Sequence, residues 1–408
     1  MKLNKIVFSL LSAGILISPL AHATNGDEMM AVGSQNTALG GTGVANYIGA
    51  ESIFANPSML GKSKGAEVTG GIVVFTPKVS NTGVPALSGV TADSNASTSY
   101  IPDVSYSNRF NDSLSYGIAM AGIAGMGVDY QGAPATHIYA KSAMSILRVV
   151  PTIAYNTDSF GVGFSPVFQS GSLRLSYNAA GMGAGNINAI GNTDSSSGFG
   201  FSLGGYVNPS SALTLAASFQ SEIAGKYGTQ ISDAGTGFGL FNGTGSKGAP
   251  FGDDLNQPAE IKAGFAFTVT DALTLTADYK LIQWGSAAGY KDFNWKDQTV
   301  VAVGAKYAAN GYWLGVGYNN TNDPIGELTP GVYRNDAINF FNNMFFPAVV
   351  ANSYTFGGGF DISNTFAVEA SAVITPEVTK TVGVTNFGGF NTTKHSQQSY
   401  SASLRYKF

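Results

Sequence analysis

The chain has 408 residues, a net charge of -4, 53 glycines, no cysteine, 12% aromatic residues and only 11% charged residues. Average soluble domains carry about 25% charged residues, so a globule facing water on every side is excluded, while a mean hydropathy of only +0.09 excludes a bundle of membrane helices. The absence of cysteine rules out disulfides and thiolate metal sites, and mild acidity without a basic stripe gives no reason to expect a nucleic-acid partner.

Lys2 and Lys5 precede an apolar run from Ile6 to Ile17, and Ala21-His22-Ala23 supplies a small-x-small cleavage site. Residues 1–23 read as a signal peptide, with the mature chain starting at Thr24. The run is shorter than the ~20 residues a spanning helix needs. No later stretch approaches such a length, so a mature chain living in a membrane must close into a barrel, because lipid cannot satisfy an open sheet edge.

Residues 24–65 do not alternate. They are rich in Gly, Ala and Asn, and include Ala38-Leu39-Gly40-Gly41-Thr42-Gly43-Val44-Ala45 and the stretch from Glu51 to Leu60. A tail, an external arm and a domain folded inside a lumen all remain open. The small residues, with Ile53, Phe54, Met59 and Leu60 among them, favour compact packing in a confined space over a solvated tail.

From residue 66 onward the pattern has period two. Ile261, Ala263, Phe265, Phe267 and Val269 point one way, and Glu260, Lys262, Gly264, Ala266 and Thr268 the other. After a turn at Thr270-Asp271 the apolar face continues through Leu273, Leu275, Ala277, Tyr279 and Leu281. Alternation over about ten residues on both sides of a short turn is the signature of membrane strands. Equivalent turns fall at 111–113, 157–159, 208–210, 309–311 and 363–364, built of Asn, Asp, Gly, Pro and Ser. Six hairpins, a first strand from Ala66 to Phe75 and a last from Gln397 to Phe408 make an all-β, 14-stranded antiparallel transmembrane β-barrel over residues 66–408. An even count puts both ends on the short-turn side, which in outer-membrane barrels is the periplasm. Pro77 to Ser99, Gly225 to Gln257 and Asn319 to Asn352 read as extracellular loops. A barrel this wide cannot be filled by wall side chains alone, so it is open or plugged.

The last strand alternates Tyr400, Ala402, Leu404, Tyr406 and Phe408 with polar residues and ends on the aromatic ring. That ending, Tyr406 and Phe408, resembles the sorting signal read by the outer-membrane barrel assembly machinery.

The chain also resembles a family, the long-chain fatty acid outer-membrane transporters (FadL-type), which include aromatic-hydrocarbon uptake channels. The likeness rests on the run Gly40 to Ala45, on Asn56-Pro57-Ser58, on Pro151-Thr152-Ile153-Ala154-Tyr155, and on the hairpin from Pro258 through Tyr279 to Trp284. It implies a fourteen-strand barrel with an N-terminal hatch plugging the lumen, here residues 24–65. The hatch motif of the family ends Asn-Pro-Ala, where this chain has Ser58. The resemblance further implies a kinked third strand that opens a lateral gap, a hatch that shifts on binding, and a solute that leaves sideways into the outer leaflet. Gly122, Gly125 and Gly127 interrupt the third strand here, and glycine in a strand marks a bulge or bend. An ordinary glycine-rich strand reads the same way.

Two further features bear on cargo. The run Ile338 to Val350 holds Phe340, Phe341, Met344, Phe345 and Phe346 in what should be a loop, and an exposed apolar patch marks a binding surface. It reads either as a substrate-contact element or as a loop packed on its neighbours. A fatty-acid carboxylate would want a basic partner. Arg148 turns inward by parity with Leu147 and Val149, although Lys262, Lys280 and Lys306 do so as well, accompanied by Glu260, Asp278 and Glu369. His137 and His395 belong to no metal spacing and to no nucleophile–base motif, so neither catalytic residues nor a cofactor are expected. The expectation is therefore a monomeric channel in the outer membrane of a Gram-negative bacterium. It contacts membrane lipid and lipopolysaccharide, and takes up hydrophobic compounds passively past its hatch. A general diffusion porin, and a structural or adhesive barrel, are the alternatives.

Overall fold

The computed structural model describes residues 24–84, 89–131, 139–178, 189–190, 192–237 and 252–408. The expected signal peptide and His137 lie outside them. Fourteen long strands form one closed antiparallel sheet. They are β1 (Glu67–Thr82), β2 (Ser99–Arg109), β3 (Leu114–Asp129), β4 (Tyr139–Asn156), β5 (Phe160–Asn178), β6 (Asp194–Ser210) and β7 (Leu213–Gln220). These continue into β8 (Glu260–Thr270), β9 (Leu273–Ile282), β10 (Gln298–Ala309), β11 (Tyr312–Thr321), β12 (Asn352–Asp361), β13 (Phe366–Val384) and β14 (Gly389–Lys407). The ring closes where β14 pairs with β1, from Lys407↔Glu67 to Thr392↔Thr82.

Parity decides which side chains meet lipid. On β8, Ile261, Phe265 and Phe267 are 41–45% exposed on the outer face, whereas Glu260 and Lys262 are buried on the inner one. The short turns carry the residues their geometry needs. At the β10–β11 hairpin Asn310 and Gly311 both have positive φ (52° and 79°), the primed turn whose twist matches the flanking strands.

Three boundaries differ from the sequence reading. β1 continues to Thr82 and β14 begins at Gly389, because polar cross-strand pairs keep the ladder going after the apolar pattern stops. Asn81 and Asn391 exchange amide hydrogen bonds, and Thr381 meets Thr392 at 2.8 Å. Residues 77–82, expected in a loop, therefore belong to the wall. The expected turn at 208–210 moves to 211–212, with Pro209 in a register shift between Val207 and Ser210, where a residue that cannot donate is tolerated. Third, the loop after β11 contains a buried helix.

Residues 24–65 lie against the inner faces of strands around the ring. A two-residue-turn hairpin pairs Thr24–Asn25 with Glu28–Met29. It leads to helix α1 (Ser34–Ala38), helix α2 (Ser52–Ala55) and a 3-10 turn (Pro57–Lys62). β14 marks their depth, touching each layer in succession. From the short-turn end upward, Arg405 binds Glu51, Ser403 and Ser401 bond Ser34, and Gln397 accepts from the Thr24 amide.

Candidate functional site

The third strand breaks the regularity of the wall. β2 pairs with β3 only from Arg109↔Ser115 to Asp103↔Ala121. At that point the register of β3 against β4 also shifts, between Gly122 and Ala124, leaving Ile123 as the extra residue of a bulge. Beyond it the in–out alternation ceases, and residues 121–128 are all buried. The upper part of β3 has thus left β2 and turned into the lumen. There Ala124 pairs with Glu28, and the Gly125 amide donates to Asp27 O at 2.9 Å. Gly127 packs so closely on β4 that a Cβ would lie 2.5 Å from Ser142 O.

The N-terminal hairpin that meets this bend is held by its own buried charges. Its turn places Gly26, with φ +68°, flat on the Trp284 indole, where a Cβ would come within 2.8 Å. One Asp27 carboxylate oxygen accepts from the Tyr290 hydroxyl and from Gln257, and the other has no hydrogen-bond partner. Burial pushes the Asp27 carboxyl up to about 6, against the Tyr290 and Gln257 hydrogen bonds and the charge of Arg148. Burial, reinforced by Glu260, pushes Glu28 up to about 8.

At the long-loop end residues 338–345 of the run that sequence placed in a loop belong to helix α3 (Tyr333–Phe345). Its i, i+3 and i+4 asparagines fix it to the surrounding backbone. Asn339 donates to Leu328 O and Gly383 O, Asn342 to Phe293 O, and Asn343 to Asn391 O. Ser142 donates to Phe345 O at 2.5 Å. Phe340, Phe341, Met344, Phe345 and Phe346 are all buried in the large core cluster, so they offer no exposed patch. Phe340 packs on Phe387 and Phe345 on Tyr177. Only Phe341 and Phe346 of the five line a cleft, shared with Met126 of the bent strand and with Leu173, Ile231, Leu255, Tyr290, Phe293 and Trp295. Phe293 stacks on Phe341 at 4.8 Å, and Trp284, Tyr290 and Trp295 form a mutual cluster with centroids 4.5–5.1 Å apart. The cleft has a volume of about 20 Å³, room for about one water. An apolar solute enters it only by parting the rings.

Below the cleft lies a second cavity, of about 70 Å³, with charged walls. Glu260 is its centre, with Lys262 at 3.1 Å, Lys280 at 3.5 Å and Arg148 at 3.9 Å. Arg148 also donates to Gln169 at 3.0 Å, while its Nη2 has no hydrogen-bond partner. Arg148 therefore faces this charged cavity and is not among the residues of the apolar cleft.

Asn56-Pro57-Ser58 sits lower. The Asn56 amide donates to Val44 O at 2.8 Å, and its oxygen accepts from the Ser58 amide and hydroxyl at 3.0 and 2.7 Å. Ser58 in place of alanine thus adds a bond to the cap of the 3-10 turn. Tyr406 and Phe408 stand at the short-turn end on the outer face, edge to face at 4.9 Å.

Sequence reasoning missed Asp27, Glu28, Tyr290 and the tryptophans beside them. A signal was present, since two of the chain's three tryptophans fall within the segment 284–295 together with Tyr290 and Phe293.

A closed antiparallel wall with an apolar outer face defines a transmembrane β-barrel. The family described as outer membrane protein transport protein (OMPP1/FadL/TodX) matches residues 15–337, and the chain belongs to it. Among solved structures, the P. putida toluene transporter TodX superposes with a TM-score of 0.68 at 17% identity, covering 93% of this chain and 99% of that one. A Pseudomonas aeruginosa FadL homologue gives 0.67 at 15% identity, covering 94% and 100%. The Ralstonia pickettii toluene transporter TbuX gives 0.64 at 18%, covering 93% and 99%. At such identities the likeness is one of fold. No curated protein matches the sequence.

Proposed function

We propose that this protein is a passive outer-membrane channel for hydrophobic compounds, hydrocarbons or long-chain fatty acids, with residues 24–65 as its hatch. The solute enters between Phe341 and Phe346 on one side and Phe293 and Trp295 on the other. It displaces the N-terminal hairpin and leaves sideways between β2 and β3 into the membrane. The observation that carries this reading is that β2–β3 pairing stops at Asp103↔Ala121, beyond which β3 pairs with Glu28 of the hairpin instead. Support for the cargo comes from the apolar lining of the cleft and from the toluene transporters that share the fold. Arg148, with one free donor in the charged cavity below, is the candidate partner for an acidic head group. Tyr406 and Phe408 act as the assembly signal, and the short-turn end faces the periplasm.

Deleting Ile123 removes the extra residue of the bulge and lets β3 run on beside β2. Uptake of toluene and of oleate by cells carrying the deletion should fall to the level of a knockout, while the purified barrel keeps its β-sheet circular dichroism. Undiminished uptake through a straightened strand would overturn lateral exit.

A further inference from the structure

We propose that Tyr290 is the positioning residue through which a solute in the apolar cleft releases the N-terminal hairpin. This rests on the reading of the cleft as the solute's entrance. Tyr290 belongs to both neighbourhoods. Its ring lines the cleft and packs on Trp284 at 4.5 Å and on Trp295 at 4.9 Å, while its hydroxyl donates to Asp27 at the tip of the hairpin.

The geometry makes this bond the weak point of the closed state. Asp27 is fully buried, yet only one of its oxygens is bonded, and both partners of that oxygen, Tyr290 and Gln257, also bond each other at 3.2 Å. A buried carboxylate that loses a donor keeps its desolvation cost without compensation. Moving the Tyr290 ring therefore turns the turn of the hairpin from a held group into an expelled one. The cleft is too small for a solute unless its rings move. Phe341 and Phe346 are backed by α3, which its asparagines tie to the wall. Tyr290 stands in a short 3-10 turn (Tyr290–Phe293) of the loop between β9 and β10, capped by Gly289 at φ +84°. That turn, held to the helix through Asn342 and Phe293 O, is the part of the wall that carries both the ring and the latch. Other ties of the hairpin, Thr24 to Gln397 and Glu28 to Ala124, do not touch the cleft.

Because the chain has no cysteine, Asn25→Cys gives a single buried thiol, and its reaction with a membrane-impermeant maleimide reports release of the hairpin. In the purified detergent-solubilised barrel carrying Asn25→Cys alone, labelling should be slow and should accelerate on adding toluene. Adding Tyr290→Phe, which keeps the ring and loses the hydroxyl, should speed labelling roughly tenfold or more without toluene, the scale of a hydrogen bond to a charged group. It should also abolish the further response. Phe293→Leu, which alters the cleft and leaves the Tyr290 hydroxyl in place, should change the toluene concentration required and raise the basal rate far less than Tyr290→Phe does. A Tyr290→Phe protein that labels slowly and still responds to toluene overturns the proposal, as does a basal rate raised equally by Phe293→Leu. If the parent ignores toluene and oleate alike while Tyr290→Phe still frees the thiol, the latch stands and the hydrophobic-uptake reading is what fails.

Discussion

At the scale of single residues, the seat of the N-terminal hairpin depends on protons. Asp27 rises from 3.8 to about 6 and Glu28 from 4.5 to about 8, both chiefly through burial. The groups facing them are Tyr290, Arg148, Lys280 and Glu260. A carboxylate with a raised pKa binds its proton more tightly in the closed state than when released. Closure is therefore fully favoured below pH ~4, and is weakened as pH climbs through the Asp27 window and then that of Glu28. The Asn25→Cys thiol, normalised to a thiol introduced at the exposed Thr365, should label faster at pH 8 than at pH 5. Equal normalised rates would show that neither carboxylate changes its proton on release.

Among the elements, the docking of the luminal segment is written in wall glycines. A Cβ at Gly204 would lie 1.9 Å from Asn56 Oδ1, at Gly163 2.4 Å from Pro57 C, and at Gly317 2.3 Å from Gly40 N. Two groups of wall glycines, on β5–β6 and on β10–β12, therefore receive this segment directly, Gly163 and Gly317 against its backbone. Gly204→Val or Gly317→Val should unseat it and raise the steady ion conductance of the protein in planar bilayers severalfold. Gly70→Ala, where a Cβ meets nothing within 4 Å, should leave conductance unchanged. Such sockets could not be read in advance, because in a chain with 53 glycines spacing does not separate a glycine that receives a backbone from one that fills a strand. Strands were legible for the opposite reason, since lipid on one side and lumen on the other write period two into ten residues at a time. The helical Tyr333–Phe345 escaped notice because its asparagines and phenylalanines face a surround that is itself part backbone and part ring, so no polar face marks the helix. The bend of β3 was visible only as three glycines, and what turns it inward is a partner about a hundred residues earlier.

For the molecule as a whole, the contacts between luminal segment and wall converge on Arg405. It reaches Glu51 of the luminal segment at 2.8 Å, Glu67 of β1 at 2.6 Å and Glu369 of β13 at 3.1 Å, and also donates to Ile48 O. Gly49 makes room for it, since a Cβ there would lie 1.7 Å from a guanidinium nitrogen. Arg405→Leu strands three buried carboxylates, a change costing about 3–5 kcal/mol. It should expose residues 24–65 to added protease while the barrel stays intact, and Arg405→Lys should restore part of the protection. Fourteen strands and their ends were legible because each repeats one simple rule. This four-way junction was not, because its members are scattered from residue 51 to residue 405 and only closure of the ring brings them together.

The same last strand has a consequence in time. Part of what holds the luminal segment lies on the last strand of the chain, Thr24 with Gln397, Ser34 with Ser401 and Ser403, Glu51 with Arg405, at separations of 354 to 373 residues. Contacts so distant along the chain must wait for the intervening loop entropy to be overcome. The nascent N-terminus therefore spends most of biogenesis without its final partners. Sealing of the seam supplies these bonds last, and an arrested intermediate lacking β14 holds the luminal segment only through the other strands, as Thr42 with Thr276 and Thr355 with Ala38 O.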